Sequence, residues 1–217
     1  YVPNRARERR MTGLHIPENP IVTDRLTTMR DKETTPSEFR IALKSLAPFL
    51  VYEAARGLET IEHEVVTPCG TAKGKRLKSR VVLFPILRAG LGLLEGALDV
   101  FPEACVGFIG AYRNEETFQP VEYHRSGPRD LRDCSVFILD PMLATGGSAV
   151  FAVDKVKEMG ARAIRFVSVI ASPRGIDTLK KAHPDVPIIV AAVDPVLNEK
   201  MYIVPGLGDA GDRFFGT

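Results

Sequence analysis

With 217 residues, 45% of them hydrophobic and 26% charged, the chain can bury a full core and fits one large domain or one domain with a small appendage. A formal net charge of only +2 excludes the strongly basic balance of a dedicated nucleic-acid binder. Cys69, Cys105 and Cys134 are widely separated with no Cys-x-x-Cys pair, which argues against a zinc site or disulfide framework, and no apolar run is long enough to span a bilayer. A reducing cytoplasm is the expected compartment.

Residues 1–34 are polar and interrupted by Pro3, Pro17 and Pro20, so an extended arm outside the core is expected. Arg5, Arg7, Arg9 and Arg10 within it read as a solvated tail. Thr35-Pro36-Ser37-Glu38 has the chemistry of a helix start: a capping hydroxyl, proline at the first helical position and a glutamate that can reach back to the cap. Phe39, Leu43, Leu46, Leu50 and Ala54 continue at helical spacing towards Gly57, and Pro48 is expected to kink or split the helix.

From Val81 the texture changes. Short continuous apolar runs begin at Val81, Cys105, Val136, Phe166 and Ile188, which is the pattern of strands buried on both faces. Helical stretches separate them over 91–98, 148–159 and 172–182. The expected fold is α/β: a doubly wound, mainly parallel five-stranded sheet with helices on both faces, plus the N-terminal arm and a small hood formed with the C-terminal segment. The domain is expected to span 35–217, with a flexible loop over 111–132.

Ligands of such sheets bind at the carboxyl ends of the strands, and there the informative residues fall. Asp140-Pro141-Met142-Leu143-Ala144-Thr145-Gly146-Gly147-Ser148 leads from a strand into a helix. Its glycines permit a tight turn, and backbone N–H groups at the helix start favour an anion. It is neither a Walker loop nor a dinucleotide fingerprint. A phosphate alone does not call for Asp140 at the strand end; a sugar with hydroxyls does. Arg88 follows another strand and can present a guanidinium fork to a polyphosphate, with Gly90 and Gly92 allowing close approach. Arg113 follows a third strand. The tail from Tyr202 to Thr217 is rich in Gly and Asp, and backbone groups in such a loop can read the flat edge of a base without side-chain bulk.

These three motifs, in this order, resemble the type I phosphoribosyltransferases, and the form Asp-Pro-Met-Leu-Ala-Thr-Gly-Gly-Ser resembles their uracil-using branch. The resemblance implies transfer of a ribosyl phosphate from 5-phosphoribosyl 1-diphosphate to uracil. It implies Arg88, Arg113 and Asp140 as catalytic groups, and 140–148 with Asp209 as the site of the phosphorylated ribose. Ile203, Gly208, Asp209 and Ala210, within a base-binding segment 198–217, match the uracil positions. Mg²⁺ is expected to be carried mainly by the substrate, because Pro141 stands where much of the family has a second acid; no protein-bound metal is expected. A homodimer or homotetramer and a GTP effector are further implications, with no membrane or nucleic-acid partner. Two rivals remain: an RNA-binding attenuator on the same fold, and an enzyme for a purine or for orotate, the latter needing a cation such as Arg213 or Lys200 in the base pocket.

Overall fold

The computed structural model describes residues 13–113 and 120–217. Its first half comprises β1 (Leu14–His15), α1 (Pro20–Arg30), α2 (Pro36–Ala54), β2 (Thr60–Thr67), β3 (Gly70–Leu77), β4 (Arg80–Leu87), α3 (Leu91–Val100), β5 (Cys105–Val106), β6 (Phe108–Arg113) and β7 (Pro120–Ser126). The second half comprises β8 (Cys134–Leu139), β9 (Met142–Leu143), α4 (Gly147–Glu158), β10 (Ala163–Ala171), α5 (Pro173–Ala182), β11 (Ile188–Val193), β12 (Val196–Leu197), β13 (Ile203–Val204) and α6 (Ala210–Phe215).

All five apolar runs lie in one sheet, ordered β1-β11-β10-β8-β4-β6-β7, with β5 beside β4 and β9 beside β10. Its pairings are parallel except that of β6 with β7. Strand alternation divides the core in two. Val81 and Leu83 of β4 face the cluster that includes α1, α2 and α3, whereas Val82, Phe84 and Ile86 face α4 and α5. Helices therefore cover both faces, as the unbroken apolar runs require.

Among the described residues the sheet has nine strands rather than five. The added edges escaped the apolar-run criterion because an edge strand need not be buried on both sides. In β7, Tyr123, His124 and Arg125 are exposed. This strand also corrects the expected loop over 111–132: β6 and β7 form an antiparallel hairpin from Phe108 opposite Ser126 to Arg113 opposite Pro120. Residues 114–119 lie outside the described residues.

The expected arm is a second correction. Asn19 caps α1 by accepting the Ile21 N–H at 2.9 Å, and Pro20 takes the first helical position, where its missing N–H costs nothing. Eleven residues are too few for a stable isolated helix in water. Val22, Leu26 and Met29 supply the difference by packing into the core, each burial worth about 1.5–3 kcal/mol. β1 adds a parallel edge to β11. Residues 14–30 are core elements, not an arm.

The Thr35–Glu38 capping box is present in full. Pro48 does not split α2, which is a single helix of 19 residues. An interior proline costs about 3 kcal/mol and frees the carbonyl four residues earlier. Here Gly96 of α3 packs directly against the Lys44 carbonyl and the Pro48 ring, where a side chain would overlap both. The stretch 60–77 folds into a two-stranded hairpin, β2 and β3, that among the described residues pairs only with itself and is exposed along almost its whole length.

Candidate active site

From β4 the chain winds outward through α3 to β6, and from β8 it winds the other way through α4 to β10. Strands β4 and β8 are neighbours, with Pro85 opposite Leu139, so the direction of winding reverses between them. Loops leaving their carboxyl ends diverge to opposite faces and leave a crevice. Arg88 and Asp140 are the first residues past those two ends.

Asp140 is part-buried, and its backbone N–H continues the sheet by donating to the Val167 carbonyl at 3.1 Å. Burial pushes its carboxyl up to about 7, against a smaller opposing effect of the Met142 N–H, which donates to Oδ1 at 3.3 Å. Beyond it the loop is stitched to β10 and α5. The Pro141 carbonyl accepts from the Val169 and Ile170 N–H groups, and Leu143 and Ala144 carbonyls accept from the N–H and hydroxyl of Ser172. Leu143 points into the core, while Met142 and Ala144 line the crevice.

Gly146 is the N-cap of α4 at φ 86°, a left-handed conformation, and a side chain there would sit 2.7 Å from Thr178 Cβ and 2.9 Å from the Gly175 carbonyl. No side chain caps the helix, in contrast to α1, α2 and α5. The dipole end at Gly147 and exposed Ser148 is thus open to an anion, with Thr145 half-buried beside it.

A cavity of about 320 Å³ occupies the crevice. One wall is Ala89, Asp140, Met142 and Ala144; the other is the hood, Lys200–Tyr202 and Gly208–Gly211. The structure thus brings Asp140 into the same cavity as Gly208, Asp209 and Ala210. Asp209 doubles as the N-cap of α6, accepting the Asp212 N–H at 2.9 Å. Ile203 is not in the cavity wall; it is buried in β13 opposite Leu197 and holds the hood on the core. The Arg88 guanidinium is exposed at the rim, 3.7 Å from Asp212 and 5.4 Å from the centre of the Phe215 ring. Gly90 and Gly92 do not open space for a ligand as expected. They let α3 approach the Leu139 carbonyl and the Leu43 and Phe214 side chains. The Arg113 backbone ends β6, and its side chain lies outside the described residues.

Arg213, a rival cation for an orotate pocket, is committed elsewhere. It donates to the carbonyls of Met29, Leu207 and Asp31, and lies over the Phe39 ring at 4.7 Å. Lys200 does line the cavity. Ala89, Met201 and Gly211 also line it; none stands out individually in the sequence, although Met201 and Gly211 fall within the expected base-binding segment 198–217. The one available signal was Asn198, whose side chain accepts the N–H groups of Lys200 and Tyr202 and turns 200–202 back over the cavity. Met201 takes φ 63°, a left-handed conformation held by any other described residue only where it is glycine.

No described helix is long and apolar enough to cross a membrane, and no cluster of three or more metal-ligating side chains occurs among the described residues. The chain is similar to solved proteins of the same fold. It shares 40% identity and a TM-score of 0.89 with the AQ2163 protein from Aquifex aeolicus, over 94% of this chain and 98% of that one. A hypoxanthine-guanine phosphoribosyltransferase from Bacillus anthracis, 13% identical with a TM-score of 0.51, shares the fold over 72% of this chain and 79% of its own. Uracil phosphoribosyltransferases from Ureaplasma urealyticum and Rhizobium etli are each 49% identical to it, covering 93% and 95% of this chain and 98% and 100% of the relatives. The family model for uracil phosphoribosyltransferase matches residues 16–217, and with the crevice, the Asp140 loop and the glycine-rich hood in place, the chain belongs to the uracil phosphoribosyltransferase family.

Proposed function

We propose that the crevice transfers the 5-phosphoribosyl group of 5-phosphoribosyl 1-diphosphate to N1 of uracil, giving UMP and diphosphate. The observation that carries this reading is the single cavity in which Asp140 and the Gly208–Gly211 backbone face each other, beside the uncapped start of α4. Family membership supports the same substrates.

The bond from C1 to the diphosphate oxygen loosens first, its electron pair leaving with the diphosphate. Positive charge grows on the ribose, the N1 electron pair closes the new bond, and the departing diphosphate takes the N1 proton. Catalysis is then positioning and charge stabilisation. The α4 start with Thr145–Ser148 holds the 5′-phosphate. Arg88, moving off Asp212, and Arg113 neutralise the diphosphate. Asp140 in its ionised form faces the ribose as charge develops, and Asp209 borders the same space. Uracil lies against Gly208–Ala210, whose backbone matches a carbonyl-rich edge. Cytosine would place a donor where uracil has an acceptor and leave a buried group unpaired.

Mg²⁺ fits this donor set only as a substrate-borne ion. Asp140 stands next to Pro141, and one carboxylate with substrate oxygens and waters suits an ion that keeps much of its hydration. When bound, it neutralises diphosphate charge.

A homodimer or homotetramer is supported by the β2–β3 hairpin. Ile61, Val65 and Ala72 share one exposed face of it, and an isolated two-stranded hairpin is marginal in water. A GTP effector rests on the family resemblance alone, and a cytoplasmic location on the three free cysteines.

The test is UMP and diphosphate formation with Mg²⁺ from a panel of uracil, cytosine, orotate, guanine and hypoxanthine, with and without GTP. Turnover confined to uracil, with cytosine disfavoured by about 10⁴-fold, is expected. Equal use of orotate would assign Lys200 a base-reading role and overturn the uracil assignment.

A further inference from the structure

The hood is held from an unexpected direction. Arg30, the last residue of α1, donates to both oxygens of Asp194, from Nη1 to Oδ2 at 2.6 Å and from Nη2 to Oδ1 at 2.7 Å. Nη1 also donates to the Gly206 carbonyl at 2.7 Å, and the Gly206 N–H donates back to Asp194 Oδ2 at 2.9 Å. Asp194 is only 5% exposed and is itself tied to the sheet, its N–H donating to the Ala171 carbonyl at 2.9 Å. Gly206 takes φ 63°, and any side chain there would overlap the Ile203 carbonyl. Arg213 repeats the device one residue on: the guanidinium that binds the Leu207 carbonyl at 2.9 Å also binds the Met29 and Asp31 carbonyls at the end of α1.

Two successive hood carbonyls, Gly206 and Leu207, are therefore held by arginines that also engage the end of α1 or belong to it. The next three residues, Gly208, Asp209 and Ala210, line the cavity. Backbone that reads a base must be held to within about 0.5 Å, and a glycine-rich stretch cannot hold itself. A bidentate guanidinium–carboxylate pair locked to the sheet end supplies that rigidity, which a lysine's single point charge does not.

We propose that Arg30 and Asp194 are positioning residues for base recognition: they act through Gly206 to set the Gly208–Ala210 backbone against the base, making α1 part of the base site. The proposal rests on the reading of this segment as the base pocket.

The experiment is steady-state kinetics of the full chain carrying Arg30→Lys and, separately, Asp194→Asn, joined to amide hydrogen exchange with and without UMP. The expected result is a rise of about tenfold or more in KM for uracil, with KM for phosphoribosyl diphosphate within about twofold of wild type. Amide exchange at 206–210 should quicken while that of β10 stays unchanged. If the wild-type amides at 208–211 gain no protection from UMP, the base-pocket reading itself fails. If they are protected, yet both folded variants keep the wild-type uracil KM, or raise both KM values alike, the positioning role is overturned. Should Arg30→Lys not fold, Asp194→Asn alone decides, because its amide oxygen retains an acceptor for the Gly206 N–H.

Discussion

The two halves of the cavity are built in opposite ways. The Asp140–Ser148 side is a continuous stretch of chain between β8 and α4, and its hydrogen bonds run mainly to the adjacent β10 and to Ser172. The hood side is stabilised by residues distant in sequence: Arg30 meets Asp194 and Gly206 across 164 and 176 positions, and Arg213 meets Met29 across 184. A phosphate asks only for clustered N–H groups at a helix start, which a short local motif can supply. A base edge asks for backbone at a fixed distance, which a Gly-rich loop attains only when other elements hold it.

The local half is broken most severely at Asp140. Asp140→Asn should lower turnover by about 10²–10³-fold, the range for losing one preorganised electrostatic group, as read by single-turnover UMP formation. Its folding should not suffer. The Asp140 carboxyl is raised to about 7 in the fold, above its ordinary value of 3.8, so wild type should lose stability relative to the Asn variant as pH rises from about 4 to 7. Thermal melts of both proteins at pH 5 and pH 8 measure this, and a parallel pair of curves would remove the raised value. The proposed mechanism uses the ionised form, so kcat/KM for phosphoribosyl diphosphate should climb through the same region in wild type only.

Two glycines set the halves against each other. Gly146→Ala forces a methyl group to within 2.7 Å of Thr178 Cβ and should raise KM for phosphoribosyl diphosphate by about tenfold, with uracil little affected. Gly206→Ala should do the reverse, because the methyl group displaces the hood from the Ile203 carbonyl. Matching changes in both constants from either variant would show that the halves move as one unit.

A smaller effect concerns acid. Burial pushes the Asp194 carboxyl up, but the Arg30 guanidinium and the Gly206 N–H outweigh it and hold the group below the usual carboxylate range. The stability it contributes is present above the unfolded-state value and is lost as pH falls through the lower folded-state value. Hydrogen exchange on an acid series should therefore show the 206–210 amides opening before those of β10. Smallest of all, Met201→Gly should relieve the left-handed strain at φ 63° and stabilise the chain by about 1 kcal/mol in denaturant melts.

Much of this was legible without coordinates. The apolar runs of β4, β8, β10 and β11 declare themselves because a strand buried on both faces has no polar position to spare. Asp140, Gly146 and the helix that follows are contiguous, so their spacing alone carries the geometry. Edge strands β1 and β7 were hidden, since exposure on one side dilutes the pattern. Pro17 and Pro20 suggested an arm because a proline that starts a helix and one that prevents it look the same until a cap and a buried face are known.

Sequence alone carries the α/β class, the central strands, the glycine-rich start of α4 and the family resemblance, because each rests on residue types and spacings within contiguous segments taken in chain order. Folding in three dimensions settles that α1 belongs to the core, that Gly90 and Gly92 serve packing, that Arg213 is a brace, and that Asp140 shares one cavity with Gly208–Gly211. Those outcomes depend on which distant carbonyl or carboxylate a side chain reaches after folding, and neither spacing nor periodicity along the chain encodes that distance.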